Sequence, residues 1–284
     1  MPGSGGVHGR MMHNAPMFDA AAVRSLAHIA TAQPLIHHLT NAVVANDVAN
    51  VTLAFNARPV MAEAREEVAE ITAVARALVI NLGTPSVAKI EAMKIAGHVA
   101  AERGIPIVLD PVGVGATQLR TATALRLLAE LPITVLRGNR GEVGALVGRG
   151  VVSGVDAIGT EDPAFVARTA ADRFRLVVAV TGAVDVIADR SGAYAVRNGD
   201  ALLARITGSG CMASAAVGIL LTAGGDAAMQ TALALGLYGV AAERAAVPVA
   251  GGALPGPGTF RARLLDEVAA LRDSGVSGLR ITAL

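Results

Sequence analysis

Cysteine is nearly absent from this 284-residue chain: Cys211 stands alone, so no intrachain disulfide framework exists and a reducing cytoplasm is the expected setting. Charge is scarce too, at 17% of residues, and the two signs cancel to a formal net charge of +1. That balance offers neither a basic field for nucleic acid nor an acidic one for a basic partner. The first residues lack a basic stretch followed by an apolar block and a cleavage site, so export is not expected. No Gly-Lys-Ser/Thr follows any glycine loop, which removes the P-loop, and no Cys/His set has zinc spacing. Gly113-Val114-Gly115 lacks the third glycine of a dinucleotide fingerprint, and Pro111 disrupts the strand-to-helix turn which that motif needs.

Apolar residues, by contrast, make up 53% of the chain, ample for one large core. The richest stretches, Cys211 to Thr222 and Ala227 to Ala242, are shorter than a membrane span of roughly 20 residues. The second contains Gln230 and Thr231 and is rich in Ala and Gly, which suits helices packed in a core or a subunit interface. Residues 1–17 are Gly-rich and aperiodic and read as a disordered leader, leaving 18–284 as a single domain.

From Phe18 onward, short β-rich runs alternate with helical patterns, the signature of a largely parallel sheet covered on both faces. The expected strands are Leu35–Leu39, Ala77–Asn81, Ile107–Asp110, Ile133–Arg137 and Leu176–Thr181, then a hairpin of Val184–Ala188 and Tyr194–Arg197 turned at Arg190-Ser191-Gly192. Helices are expected near Asp47–Phe55, Glu66–Arg76, Val87–Arg103, Thr121–Leu131 and Pro163–Phe174. The last third reads as Cys211–Thr222, Ala227–Arg244 and Phe260–Leu271.

Ligands of parallel α/β sheets bind beyond the carboxyl ends of the strands. Five such ends here carry polar or glycine residues: Thr40-Asn41, Asn81-Leu82-Gly83-Thr84, Asp110-Pro111-Val112-Gly113, Arg137-Gly138-Asn139 with Glu142 beyond, and Thr181-Gly182. One such end would be an ordinary turn; five on one edge mark a site. The sharpest local signal is Thr207-Gly208-Ser209-Gly210-Cys211-Met212 ahead of an Ala-rich helix. Its glycines let successive N–H groups face an anion, and the helix adds the positive end of its dipole. That dipole would also favour ionisation of the Cys211 thiol. A plain glycine turn with an inert buried Cys behind it fits the same residues. His37-His38 sit inside an apolar strand, one on each side, where core histidines are the simpler reading.

In their order, these segments resemble hydroxyethylthiazole kinases. The likeness rests on Pro34-Leu35-Ile36-His37-His38-Leu39-Thr40-Asn41, Pro59-Val60-Met61, the sheet-edge segments above, Val180-Thr181-Gly182, Thr207 to Cys211, and Gly256-Pro257-Gly258-Thr259-Phe260. It runs from about Leu35 to Leu271. Arg140-Gly141 departs from the small residues usual before the glutamate. The resemblance implies a ribokinase-like three-layer α/β/α fold with a central, mostly parallel sheet, and ATP with Mg2+ as cosubstrates. It also implies phosphorylation of 5-(2-hydroxyethyl)-4-methylthiazole for thiamine biosynthesis, and a homotrimer with active sites at subunit interfaces. By position, Arg137, Thr181 and Asn139 would serve ATP, and Asp110 with Glu142 the magnesium. Asn41, Met61 and Gly208 would lie by the thiazole, while Cys211, Gly208 and Gly210 would form the catalytic loop. Sugar kinases of this fold carry Asp where Cys211 stands, which favours the thiazole branch. Beside it stand a kinase of hydroxymethylpyrimidine or a sugar, an ATP-dependent nicotinamide-hydrate dehydratase, and a nucleotide-binding sensor without turnover.

Overall fold

The computed structural model describes residues 15–148, 151–153, 156–158, 162–248, 252–274 and 276–284. Its elements follow the alternation of apolar strand and amphipathic helix. In chain order they are α1 (Ala15–Ala32), β1 (Leu35–Leu39), α2 (Ala45–Ala54), β2 (Arg58–Val60), α3 (Val68–Val74), β3 (Ala77–Asn81) and α4 (Val87–Arg103). Next come β4 (Ile107–Asp110), α5 (Gln118–Glu130), β5 (Val135–Asn139), α6 (Arg140–Leu146), β6 (Val151–Ser153), β7 (Asp156–Ile158), α7 (Pro163–Phe174) and β8 (Val177–Thr181). The chain closes with β9 (Asp185–Ala188), β10 (Ala193–Val196), a 3-10 turn (Ala201–Arg205), α8 (Ser209–Leu221), α9 (Ala227–Ala245), α10 (Pro257–Ala270) and β11 (Ile281–Ala283).

Nine strands form one sheet in the order β11-β10-β9-β8-β5-β4-β3-β1-β2. Strands β2, β1, β3, β4, β5 and β8 run parallel, while β9, β10 and β11 add antiparallel to the far edge. Because side chains alternate across a strand, Ala77 and Val79 of β3 join one core and Leu78 and Ile80 the other. The first core lies under α1, α2, α8, α9 and α10, and the second under α3 to α7. The two adjacent histidines split the same way. His37 faces Thr72 of α3 (2.9 Å) and the Ala62 carbonyl (2.7 Å), while His38 faces Thr52 of α2 (3.0 Å). Burial lowers both their pKa values, that of His38 to about 3, so they are neutral core groups.

Local chemistry sets the element ends. Ser86 caps α4 by accepting from Lys89 N (3.2 Å), and left-handed Gly104 closes it. Asp162 caps α7, whose first residue is Pro163. The Ala- and Gly-rich stretches that look like spans are α8 and α9, buried almost throughout in the first core. Among the described residues no helix is long and apolar enough to cross a membrane. The apolar surplus therefore packs within this chain, and by itself it does not require a partner subunit.

Several expectations need correction. Of the expected leader, residues 1–14 lie outside the described residues, but residues 15–17 begin α1, whose Phe18 is buried and packs edge-on against Tyr194 of β10. The fifth strand lies two residues later than Ile133–Arg137, because Gly138 and Asn139 pair with Val180 and Thr181 of β8 and extend it. Helix α6 and strands β2 and β11 had no clear periodicity to announce them.

Candidate active site

The carboxyl ends of β1, β3, β4, β5 and β8 meet the N-terminus of α8. Asp110, the last residue of β4, is wholly buried and lies in register with Asn81 at the end of β3. Its Oδ2 accepts from Asn81 Nδ2 (2.9 Å) and Ser214 Oγ of α8 (2.8 Å), and Arg137 Nη1 stands 3.9 Å away. Oδ1 is buried and has no hydrogen-bond partner among the described residues. Burial raises the carboxyl's pKa, while Arg137, Ser214 and Asn81 pull it down.

Asn81 links this carboxylate to the rest of the edge. Its Oδ1 accepts from Asn41 Nδ2 (3.0 Å) and the Gly83 amide (2.9 Å). Its Nδ2 also approaches Cys211 Sγ (3.2 Å), which Asn41 Nδ2 reaches at 3.5 Å. The carbonyl of Thr40 accepts from the buried Lys89 Nζ (2.8 Å), which steadies the end of β1. Cys211 thus sits among two amides with Asp110 close by. Burial first, and the Asp110 charge second, push its thiol up to about 12. Burial and the neighbouring carboxylate thus oppose the ionisation that the helix end favours.

Gly208 caps α8 with φ +82°, a left-handed conformation natural to glycine, and an added Cβ would stand 2.5 Å from Val44 Cγ1. The first intrahelical bond runs from Met212 N to the Gly208 carbonyl, so the amides of Ser209, Gly210 and Cys211 open outward at the positive end of the helix. Arg137 lies against this turn: a Cβ on Gly210 would come within 2.7 Å of its Nη1. Arg137 Nη2 donates to Thr181 Oγ1 (2.6 Å), and its buried Nε lacks a partner among the described residues.

A cavity of ≈ 490 Å³ opens beside the turn. Its lining includes the polar Arg137, Thr181, Ser209 and Gly210 and the apolar Ala201, Leu203, Ala204 and Leu235. Orphan donors together with apolar wall suit a phosphorylated ligand with a flat base. Asp185 also lines it. Burial raises its carboxyl to about 6 against the Gly182 amide (2.9 Å) and the Arg137 charge.

Glu142 stands just outside. Its Oε1 accepts from the Gly113 amide (2.9 Å) and its Oε2 from the Asn139 amide (2.9 Å), while Asn139 Oδ1 accepts from Glu142 N (2.9 Å). This capping box starts α6 despite Arg140-Gly141 and ties the turn after Asp110 to the turn after β5. Asn139, expected at ATP, therefore caps a helix and does not line the cavity. Burial, then Asp110, raises the Glu142 pKa. Met61 follows the edge strand β2 and packs on the first core, as Cys211 does. On the Thr207 side of α8 lies a second cavity, ≈ 340 Å³, bounded by Val43, Thr207 and the Asp47–Arg261 ion pair.

Ser214 and Asp185 join the site beyond the expected residues. Ser214 follows Cys211 by one helical turn, and Asp185 comes shortly after Thr181-Gly182 at the strand end, so the sequence holds both signals. Asn81 stands on the sheet edge that the sequence marks as a site, and the fold adds its partners.

The sequence matches the Hydroxyethylthiazole kinase family over residues 26–274. It is 50% identical to the hydroxyethylthiazole kinase of Methanoculleus marisnigri over 255 residues, covering 89% of this chain and 90% of that one. With that of Rubrobacter xylanophilus the identity is 49% over 252 residues, 88% and 92% of the two chains. The fold is similar to the solved hydroxyethylthiazole kinase of Pyrococcus horikoshii, with a TM-score of 0.83, 37% identity and coverage of 93% and 99%. Pyridoxal kinase of Staphylococcus aureus, at 16% identity and a TM-score of 0.62 over 88% of this chain and 97% of that one, shares the ribokinase-like fold alone.

The position of Asp185 yields a pH-dependent prediction. Its folded pKa of about 6 lies above the ordinary 3.8, so ionising it in the fold opposes stability. That opposition is absent below the ordinary value and complete above the folded one. Asp185→Asn keeps an acceptor for Gly182 and removes the charge. Its melting temperature should exceed the parent's at pH 7.5 and converge with it at pH 4. A difference that does not change with pH would refute this.

Proposed function

The chain belongs to the hydroxyethylthiazole kinase family, and on that premise we propose how its site moves the γ-phosphoryl group of ATP to the primary alcohol of 5-(2-hydroxyethyl)-4-methylthiazole. One observation carries the assignment of roles: Cys211 and its amide partners lie at the N-terminus of α8, between the Arg137-lined cavity and the ends of β1 and β3.

ATP occupies the ≈ 490 Å³ cavity, with its phosphates toward Arg137, Thr181 and the open amides of α8. The alcohol lies on the other side of the turn, by Asn41, Gly208, Met61 and Cys211. In the transfer, the alcohol oxygen forms a bond to the γ-phosphorus as the bond to the β-phosphate oxygen breaks, and ADP leaves. Phosphoryl transfer relies on alignment and on stabilising charge at the phosphoryl oxygens. Gly208 and Gly210 serve this by leaving the amides of the turn uncovered, and Arg137 adds a fixed cation. A thiol with its pKa near 12 stays protonated at neutral pH. Cys211 therefore positions the hydroxyl, and the departing proton goes to an oxygen of the transferred phosphoryl group.

Magnesium, when bound with ATP, would neutralise charge on the β- and γ-phosphates. Among the described residues no three His, Cys, Asp or Glu cluster to form an all-protein metal site. Asp110, with its unpartnered Oδ1, and Glu142 beside it fit instead an ion that keeps water and phosphate oxygens as ligands. Asp110 is the better candidate, since each Glu142 oxygen already accepts a backbone amide.

We assign the kinase unit to residues 15–284, from the start of α1, and place it in the cytoplasm, in keeping with a lone cysteine. The homotrimer is retained as the family expectation.

A coupled ADP-release assay over a panel of alcohols, run on the parent and Cys211→Ala, tests this reading. The thiazole alcohol should far outpace hydroxymethylpyrimidine and ribose; equal turnover of either competitor would remove the function. Cys211→Ala should fold normally and lose about a hundredfold in kcat, the scale of a misplaced reactant. Its pH–rate profile should keep the parent's shape between pH 6 and 9. Loss of a rising limb in the variant would instead make the thiolate a base.

A further inference from the structure

The outer wall of the larger cavity is a segment with little structure of its own. It runs from Asn198 through Gly199 and Asp200 into the short 3-10 turn Ala201–Arg205. What fixes it comes from two distant parts of the chain. Glu243, near the end of α9, accepts the Gly199 amide (2.8 Å) and Asn198 Nδ2 (3.2 Å) on the same oxygen. Arg280, just before β11, donates to that carboxylate (2.6 Å) and to the Arg197 carbonyl (2.6 Å). Its backbone amide donates to Asn198 Oδ1 (2.7 Å), and Asn198 Nδ2 reaches the Gly278 carbonyl (2.8 Å). Asn198 is thereby bonded through both ends of its side chain and is itself buried. One helical turn before Glu243, Gly239 lets α9 touch the segment directly: a Cβ there would stand 2.6 Å from the Asn198 carbonyl carbon.

These contacts share one consequence, which is to set how far the wall stands from Arg137 and Thr181 across the cavity. We propose that Glu243 is a positioning residue for the nucleoside triphosphate. Together with Arg280 and Gly239 it clasps the Asn198–Arg205 wall at the distance that binding requires, without touching the ligand. The inference rests on reading this cavity as the ATP site. It assigns a role to the C-terminal segment 278–283, which lies past the end of the family match at residue 274.

The test separates the two cosubstrates. In Glu243→Met the KM for ATP should rise about tenfold, the scale of losing a charge-assisted hydrogen bond, with the KM for the thiazole alcohol unchanged. Glu243→Gln keeps an acceptor for the Gly199 amide and should recover part of the loss. Arg280→Met, at a side chain 53% exposed, tests the same clasp should Glu243→Met fail to fold, and should also raise the KM for ATP alone. Equal rises in both KM values, or a Gln variant no better than Met, would overturn the inference by making the contact merely structural. Arg137→Met is the control on the cavity itself. If it raises the KM for ATP while the Glu243 and Arg280 variants do not, the clasp fails alone; if it leaves that KM unchanged, the nucleotide site fails and takes the clasp with it.

Discussion

A carboxylate with no exposed surface, Asp110, sits at the centre of the sheet edge, and the arrangement around it follows from the need to compensate it. A buried charge is tolerated only when paired and hydrogen-bonded. Here the compensation comes from three elements at once: Asn81 from β3, Ser214 from α8 and Arg137 from β5. Each partner then does a second thing. Asn81 sets Asn41 and Cys211, Ser214 fixes the rotation of α8, and Arg137 lies across the first turn of that helix to reach Thr181. Removing any one would leave charge uncompensated and misplace a group on the far side of the site.

This geometry depends on how closely α8 approaches the sheet. Small residues, Ala213, Ser214, Ala215, Ala216 and Gly218, run through its buried surface beside larger apolar ones, and a Cβ at Gly218 would meet Val79 of β3 at 2.6 Å. Small residues trade side-chain volume for proximity, which brings Ser214 within hydrogen-bonding distance of Asp110. The same economy in α9 brings Gly239 against Asn198. The high apolar content of the chain is thus a requirement of its own core, and α8 and α9 meet it together.

Much of this was legible in the residues, for identifiable reasons. The apolar runs of β1, β3 and β4 end at Thr40, Asn81 and Asp110, so the limits of these strands agree with those expected from the sequence to the residue. Strand β5 does not, since Arg137-Gly138-Asn139 looks like a turn and is strand only because β8 pairs with it. Helix α1 follows a Gly-rich start and has a weak pattern, and tertiary packing gives it a place, through Phe18 on Tyr194 and through Ala22, Leu26 and Ile29 in the first core. At the site, residue identities were readable and environments were not. The Cys211 thiol is pushed up first by its burial and second by Asp110, 101 positions away in sequence, and only the fold supplies either. Asn139 and Glu142 show the same limit: their residue types are readable, and the capping box they form at α6 is visible only in the fold.

The central claim is that Asp110 is held as a buried charge for the reaction and not for stability. Asp110→Asn preserves shape, keeps an acceptor for Asn81 and Ser214, and removes the charge. The decisive measurement is kcat at saturating ATP and magnesium beside the melting temperature of the same variant. The account predicts a kcat lower by about a hundredfold or more, the scale of losing one electrostatic contact in a transition state, with a melting temperature equal to or above the parent's. A variant that keeps near-parent turnover but melts earlier would contradict it.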